Sequence, residues 1–419
     1  WQMICYGILC LLAIATLTGI LVHNHVRKGS SSSTSTSWMN QYWDQIQNKT
    51  ILELTLPGSH NSGTYQNALS VQHDICTSDY RYNDYLKDPS TLSSSPLSQK
   101  EFDTQFIPWN INHDYSIEKQ LDYGARYFHL KLCIMGDSRN DGEEGSSQLQ
   151  DLSKVVHNHR GYTTQETLQD FIDTIQQFLD KNPKDIIVIG LNNIHFQQDT
   201  DDSNIREEQL VSLYTAISYA FGNDNTIGKN SIFISQQELL STNLHDLVME
   251  QGKRIVLFVK TTDTMDLAFL ENTLQLIPSS KGLDENWDDA MSHGNLTAAE
   301  EWLYQDIVTH ASSSSNSKNN NHTATGKHKF YTVQANPNHA DDIAVYPNMY
   351  SNMNTKGETT TPKALKEWET PLLLNLGDIV ARAQQQTQHL HINAISTDFF
   401  DVSQPLEIAL RLMGLSSSS

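Results

Sequence analysis

A chain of 419 residues that is 38% hydrophobic holds enough apolar material for one large α/β domain or for two or three smaller ones. Its formal net charge of −21, from 49 acidic against 28 basic residues, excludes the basic footprint that nucleic acid demands. It also confines any contact with anionic lipid to local patches.

The chain opens on Trp1, and further residues are expected upstream. Met3–Val22 reads MICYGILCLLAIATLTGILV, twenty residues without a charge. As a helix it would rise about 30 Å, the thickness of a bilayer core. A secretory signal is the competing reading, but its apolar region usually runs about 7–15 residues. Residues 1–28 are therefore expected to be a single-pass membrane anchor, and 29–37, with the run SSSSTSTS, a flexible linker. Arg27 and Lys28 favour a cytosolic C-terminal side. Sequons at Asn48, Asn295 and Asn321 favour a luminal or extracellular one, which is the expectation adopted.

From Trp38 to about residue 415 the pattern alternates. Apolar, β-rich runs occur at Ile51–Leu56, Ala125–Leu132, Lys154–His157, Ile186–Leu191, Arg254–Lys260, Phe330–Ala335 and His391–Phe399. Several are apolar at nearly every position, as in strands buried on both faces. Between two of them, Thr164–Leu179 places Leu168, Phe171, Ile172, Ile175, Phe178 and Leu179 on one helical face, and Asn182-Pro183 ends the helix. Strand, helix, strand with short joints predicts βαβ units, in either a closed barrel or an open doubly wound sheet. The tract SSSSNSKNNN, within an insert near 311–326, and Ser416–Ser419 read as disordered. Cys76 and Cys133 either pair in an oxidising compartment or remain buried thiols.

The sharpest chemical signal is Leu56-Pro-Gly-Ser-His-Asn-Ser-Gly-Thr-Tyr65, where a strand runs into an expected Pro-Gly turn carrying His60 and Asn61. Further on stand Gln120-Leu-Asp-Tyr-Gly-Ala-Arg-Tyr-Phe-His-Leu-Lys131, Lys154-Val-Val-His-Asn-His159, Asn182-Pro-Lys-Asp-Ile-Ile-Val-Ile-Gly190, Tyr331-Thr-Val-Gln-Ala335 and Ala394-Ile-Ser-Thr-Asp-Phe-Phe400. In identity and order these blocks resemble the phosphatidylinositol-specific phospholipase C X-domain family. The first motif is highly specific, and the later ones persuade by their order.

The resemblance implies an α/β TIM-type barrel over 38–415. It also implies a phosphodiesterase that cleaves an inositol phospholipid at a membrane by acid–base catalysis with two histidines, whose pKa suits both roles. His60 matches the base and Asp398 the carboxylate that orients it. His157 is preferred as the acid, with His159 two residues on as the alternative. Lys131 stands where metal-independent members carry an arginine that stabilises the phosphorane. Asn61, His129, His159 and Arg126 are expected to contact substrate. Calcium-dependent members would need carboxylates where His129, Lys131 and about Asn192 stand, so no metal or cofactor is expected. His129 and Lys131 depart from the family pattern, which keeps open a catalytically silent barrel that binds lipid headgroups or a protein partner. His159-Arg-Gly161 also resembles the opening of glycerophosphodiester phosphodiesterases, a lesser alternative because the metal pair expected in the following strand is absent.

Overall fold

A computed structural model describes residues 36–66, 68–69, 76, 82, 98–135, 150–197, 203–222, 231–285, 296–316, 329–335, 365–387 and 390–415. The apolar run Met3–Val22, and the serine linker as far as residue 35, lie outside the described residues. Among those described, no helix is long and apolar enough to cross a membrane. Contacts divide the chain into the units Trp1–Ser37 and Trp38–Ser419, and the barrel belongs to the second.

Among the described residues ten strands form the sheet: β1 (Leu56–Ser59), β2 (Tyr127–Ile134), β3 (Val155–His159), β4 (Tyr162–Thr167), β5 (Ile187–Phe196), β6 (Ile255–Val259), β7 (Ile277–Pro278), β8 (Leu283–Glu285), β9 (Phe330–Ala335) and β10 (Ala394–Thr397). Eight run parallel in the order β7-β6-β5-β2-β1-β10-β9-β8. The result is a nearly closed α/β barrel, open between β7 and β8, whose helices include α1 (Leu168–Lys181), α2 (Ser203–Phe221), α3 (Leu296–Asn316), α4 (Leu365–Gln386) and α5 (Pro405–Leu412). α3 takes in Ser312–Asn316, so the first half of the tract expected to be a disordered loop is helical; residues 317–326 lie outside the described residues.

The first strand starts later than the apolar run suggests. Thr50 and Glu53 form a reciprocal capping box that winds Ile51–Glu53 into a 3-10 turn. Pro57 and Gly58, expected as a turn, lie inside β1 instead. A Cβ on Gly58 would sit 2.9 Å from Tyr127 Cδ1 and 3.0 Å from the Ile395 carbonyl, so only glycine lets β1 fit between β2 and β10.

The second correction concerns β3. It is not a barrel strand but one arm of a hairpin, antiparallel to both β2 and β4. Arg160 (φ 50°) and Gly161 (φ 89°) make its two-residue turn, a conformation that suits the twist of hairpin strands. Thr164–Thr167, expected as helix, complete β4. The helix begins only at Leu168, where Thr167 accepts from the Asp170 amide and Asp170 answers from its carboxylate.

Side chains alternate across β2. Phe128, Leu130 and Leu132 pack outward with Phe171, Ile172 and Ile175 of α1. Tyr127 points inward, into a cluster with Leu56, Val188, Val256, Phe258 and Phe330. Trp38, Met39, Trp43 and Ile46, from two short helices before β1, extend that cluster into a floor at the N-terminal ends of the strands. By the same alternation His129 and Lys131 share the inner face with Tyr127, towards the C-terminal end where barrel enzymes place their chemistry.

Candidate active site

Because β1 pairs with β10 in parallel register, the residues that follow them emerge side by side. His60 and Asp398 are those residues, and His60 Nδ1 lies 2.8 Å from Asp398 Oδ1. A carboxylate at that distance fixes the proton on Nδ1 and leaves the Nε2 lone pair as the basic position. The carboxylate is held in turn. Asn112 Nδ2 donates to Asp398 Oδ2 at 2.9 Å, while Asn112 Oδ1 accepts from Thr64 Oγ1 at 2.6 Å. Behind the base, His113 Nε2 donates to the His60 carbonyl at 2.7 Å, and Ser59 Oγ donates to Gln120 Oε1 at 2.5 Å.

Glu369, on α4, is 1% exposed and in hydrogen-bond contact with Asp398. Burial first, and then Asp398, push its carboxyl well above the usual carboxylate range. Among the described residues its Oε2 has no partner. The motif reading missed Asn112, His113 and Glu369. The first two lie in an aperiodic polar stretch, and a lone glutamate on an amphipathic helix carries no signal of its own.

Of the two departures from the family pattern, His129 sits against the base and Lys131 acts on the neighbouring histidines. The His129 ring stacks on that of His60, with centroids 5.2 Å apart and planes 12° off parallel. Burial, and then the charges of His60 and Lys131, hold His129 well below its ordinary pKa. His159, at the end of β3, faces the same field: burial lowers its pKa, followed by Lys131, Arg160 and His60. Its Nδ1 lies 3.2 Å from the Asn110 carbonyl.

His157, the preferred acid, is placed elsewhere. Its ring lies over Gly63, where an added Cβ would come within 2.0 Å of Cγ, and meets Phe171 edge-on at 5.9 Å. Burial lowers its pKa to about 4, and among the described residues Asp170 is the charged group acting on it, in the opposite direction. Two residues apart on β3, His157 and His159 thus meet different neighbours, and the register shift between Val156 and Asn158 leaves its extra residues in β4.

Arg126 is also not brought to the site. It enters β2 at the floor end, where Nη2 meets Asp185 Oδ1 at 2.5 Å and Nη1 donates to the carbonyls of Leu121 and Ala125. Its guanidinium lies 4.5 Å from the Phe178 ring centre. The side chain is 1% exposed, and no inositol could reach it.

Asn61, in a left-handed conformation (φ 44°), is buried, and its Oδ1 has no partner among the described residues. A hard cation seeks about 6–8 oxygens. Here one amide oxygen stands with the imidazole of His129 and the ammonium of Lys131, and Asn193 rather than Asn192 lies across from Lys131. That donor set does not fit calcium. Among the described residues no group of three or more His, Cys, Asp and Glu is placed to hold a metal. His159-Arg160-Gly161, the string shared with glycerophosphodiester phosphodiesterases, is the hairpin turn. Cys76 and Cys133 are paired in a disulfide, which settles the alternative between pairing and free thiols. The Cys76 amide donates to the Gly161 carbonyl at 2.8 Å, so the bridge ties that turn to β2.

A parallel barrel with an aspartate-held histidine at its strand ends is the arrangement that the motif resemblance implies for His60 and Asp398. No family model matches the chain. A PI-PLC X-box domain-containing protein of Dictyostelium discoideum is 23% identical over 190 residues, which cover 45% of this chain and 20% of that protein. Human PI-PLC X domain-containing protein 1 is 23% identical over 157 residues, 37% of this chain and 41% of the relative. The matches thus span well under half of each relative. Among solved structures, the phosphatidylinositol-specific phospholipase C of Listeria monocytogenes aligns with a TM-score of 0.48 at 16% identity, covering 87% of this chain and 94% of that one. Both relatives are named for a PI-PLC X domain, the family that the motifs of this chain resemble.

Proposed function

We propose that the chain cleaves the phosphodiester of an inositol phospholipid to a cyclic inositol phosphate and diacylglycerol, without metal. The observation that carries this reading is the 2.8 Å contact between His60 Nδ1 and Asp398 Oδ1 at the strand ends, with His159 and Lys131 in the same electrostatic field. His60 Nε2 takes the proton from the inositol 2-hydroxyl, which then attacks phosphorus. Asp398 stabilises the imidazolium that forms. Lys131 stabilises the charge on the phosphorane oxygens. His159, rather than His157, returns a proton to the departing diacylglycerol oxygen. In the free protein burial and neighbouring cations keep His159 neutral; an incoming phosphodiester anion favours its charged form and so loads it with a proton. Asn61 Oδ1, a buried acceptor, is suited to an inositol hydroxyl.

Membrane anchorage through Met3–Val22, with the barrel luminal or extracellular, is part of the same proposal. The disulfide and the exposed sequon residue Asn48 support it, since such bridges persist in oxidising compartments.

The test is to incubate the full chain with phosphatidylinositol vesicles, with and without chelator, and to follow cyclic inositol phosphate by phosphorus NMR. Turnover that survives chelation and disappears in His60→Ala is the expected result. Turnover lost in chelator and restored by calcium overturns the metal-free mechanism. Binding of the vesicles without any turnover favours the silent-barrel alternative, which the buried, neutral His129 beside the base keeps in play.

A further inference from the structure

Asp398 receives His60 on one oxygen and Asn112 on the other, and a second carboxyl group also reaches it. Glu369 comes from α4, outside every motif that defined the site. Two buried carboxylates in contact cannot both be ionised, because neither solvent nor a full set of cations offsets the repulsion. Among the described residues the charged groups acting on Glu369 are Asp398, at the end of β10, and Arg160, at the hairpin turn. One turn earlier on the same helix, Lys366 is occupied by Asp114 and Asp401 and offers Glu369 no neutralisation. The proton must therefore reside on one member of the pair. Asp398 already has both oxygens engaged, one by His60 and one by Asn112. Glu369, 1% exposed and with Oε2 lacking a partner among the described residues, is the member on which it settles.

We propose that Glu369 is a positioning residue of the active site: its carboxyl group, held protonated, donates a hydrogen bond to Asp398 and so fixes the carboxylate that orients His60. A neutral acid in this place has two effects. It supplies a third donor to Asp398, so the carboxylate cannot rotate away from the imidazole. It also tempers the negative charge of Asp398, so the imidazolium formed during attack is stabilised without being trapped. Ionisation of Glu369 at high pH would set two carboxylates against one another and pull Asp398 off His60. The inference rests on the reading of His60 as the base, but its first test does not need turnover.

Infrared difference spectra of the full chain against Glu369→Gln, at neutral pH in deuterated buffer, report whether Glu369 carries a proton. A protonated-carboxyl carbonyl band that disappears in the variant is expected; its absence from the unmodified chain overturns the proposal even if the protein proves inactive. Where turnover is present, Glu369→Gln keeps the donor and should keep kcat within about threefold of the native value. Glu369→Leu removes the donor and should lower kcat about tenfold to a hundredfold at unchanged KM, the weight of one hydrogen bond to a charged group. The native pH profile should show an alkaline fall that Glu369→Gln abolishes. A folded Glu369→Gln protein as impaired as Glu369→Leu, or one that keeps the alkaline fall, would also sink the idea. Retention of the downfield His60 Nδ1–H proton signal in Glu369→Gln, and its loss in Glu369→Leu, separates positioning from a general loss of stability.

Discussion

Two buried ionic arrangements stand at opposite ends of β2. At the floor, Arg126 and Asp185 satisfy one another, carbonyls take the remaining guanidinium donors, and aromatic rings seal the pair. At the mouth, Lys131, His129 and His159 share a field of like sign, and Asn61 Oδ1 and Glu369 Oε2 lack partners among the described residues. His129 and Glu369 are buried as deeply as Arg126 and Asp185, so depth alone does not mark a functional site. The difference lies in completeness. A saturated arrangement has nothing left to offer a ligand, whereas an incomplete one keeps donors, acceptors and protons available for one.

Substitutions that separate the two ends test this contrast. The largest effect on turnover is expected for His60→Ala and His159→Ala, each lowering kcat by roughly 10²–10⁴ with little change in stability, the range for one acid–base group. His157→Gln should leave kcat within about an order of magnitude. A collapse there but not in His159→Ala would reverse the assignment of the acid. At the floor the pattern should invert. Arg126→Ala leaves Asp185 buried and uncompensated and should cost about 3–5 kcal/mol in urea unfolding, with activity per folded molecule retained. Lys131→Ala should raise the barrier by about 2.7–4 kcal/mol, the scale for one electrostatic contact in a transition state. An effect on KM alone would make Lys131 a binding group only.

Stability against pH gives a further test. The pKa values of His113, His129, His157 and His159 are depressed in the fold, mainly by burial. A depressed histidine favours folding while neutral, so its contribution is complete above its unfolded pKa near 6.5 and is lost as pH falls through the folded value. For His157 that window runs from about 6.5 down to about 4. Urea midpoints should decline across it, and His157→Met should flatten the decline; an unchanged slope would mean that the ring is not buried as described. The smallest effect is expected for Gly63→Ala, which drives a methyl into the His157 ring and should cost about 1–3 kcal/mol through overpacking, without altering the pH at which turnover is greatest.

Much of the barrel was legible because its signals are local. The inward His129 and Lys131 stand out only because Phe128, Leu130 and Leu132 alternate with them on β2, and β9 and β10 fall within runs read as strands. The start of β1 was misplaced because the Thr50–Glu53 capping box, itself readable, was outweighed by an apolar run that continues past it. β7 and β8, of two and three residues, are too short to establish any period. The choice between His157 and His159 turned on what surrounds each ring, Gly63 and Phe171 for one and the Asn110 carbonyl for the other, and no spacing within β3 contains that. Glu369 lies 29 residues before Asp398 on another element, so only the closed barrel brings the two carboxyl groups into contact.

The disulfide reaches further than its two strands. Cys133 is anchored in β2, and Cys76 holds the backbone of the turn that carries Arg160 directly after His159. His60 and Asp398 are built into the barrel wall and depend on no such tether. Reduction would release the restraint on a loop of some 57 residues, worth about 4 kcal/mol on chain-entropy grounds. That loss would be felt by the whole barrel, because the cross-link constrains the unfolded chain. The strand-end pair of His60 and Asp398 is thus set by the fold, and the turn after His159 is set in addition by oxidation. A newly made chain would thus bring His60 to Asp398 by pairing β1 with β10, and would pin its hairpin turn to β2 only once the cystine has closed.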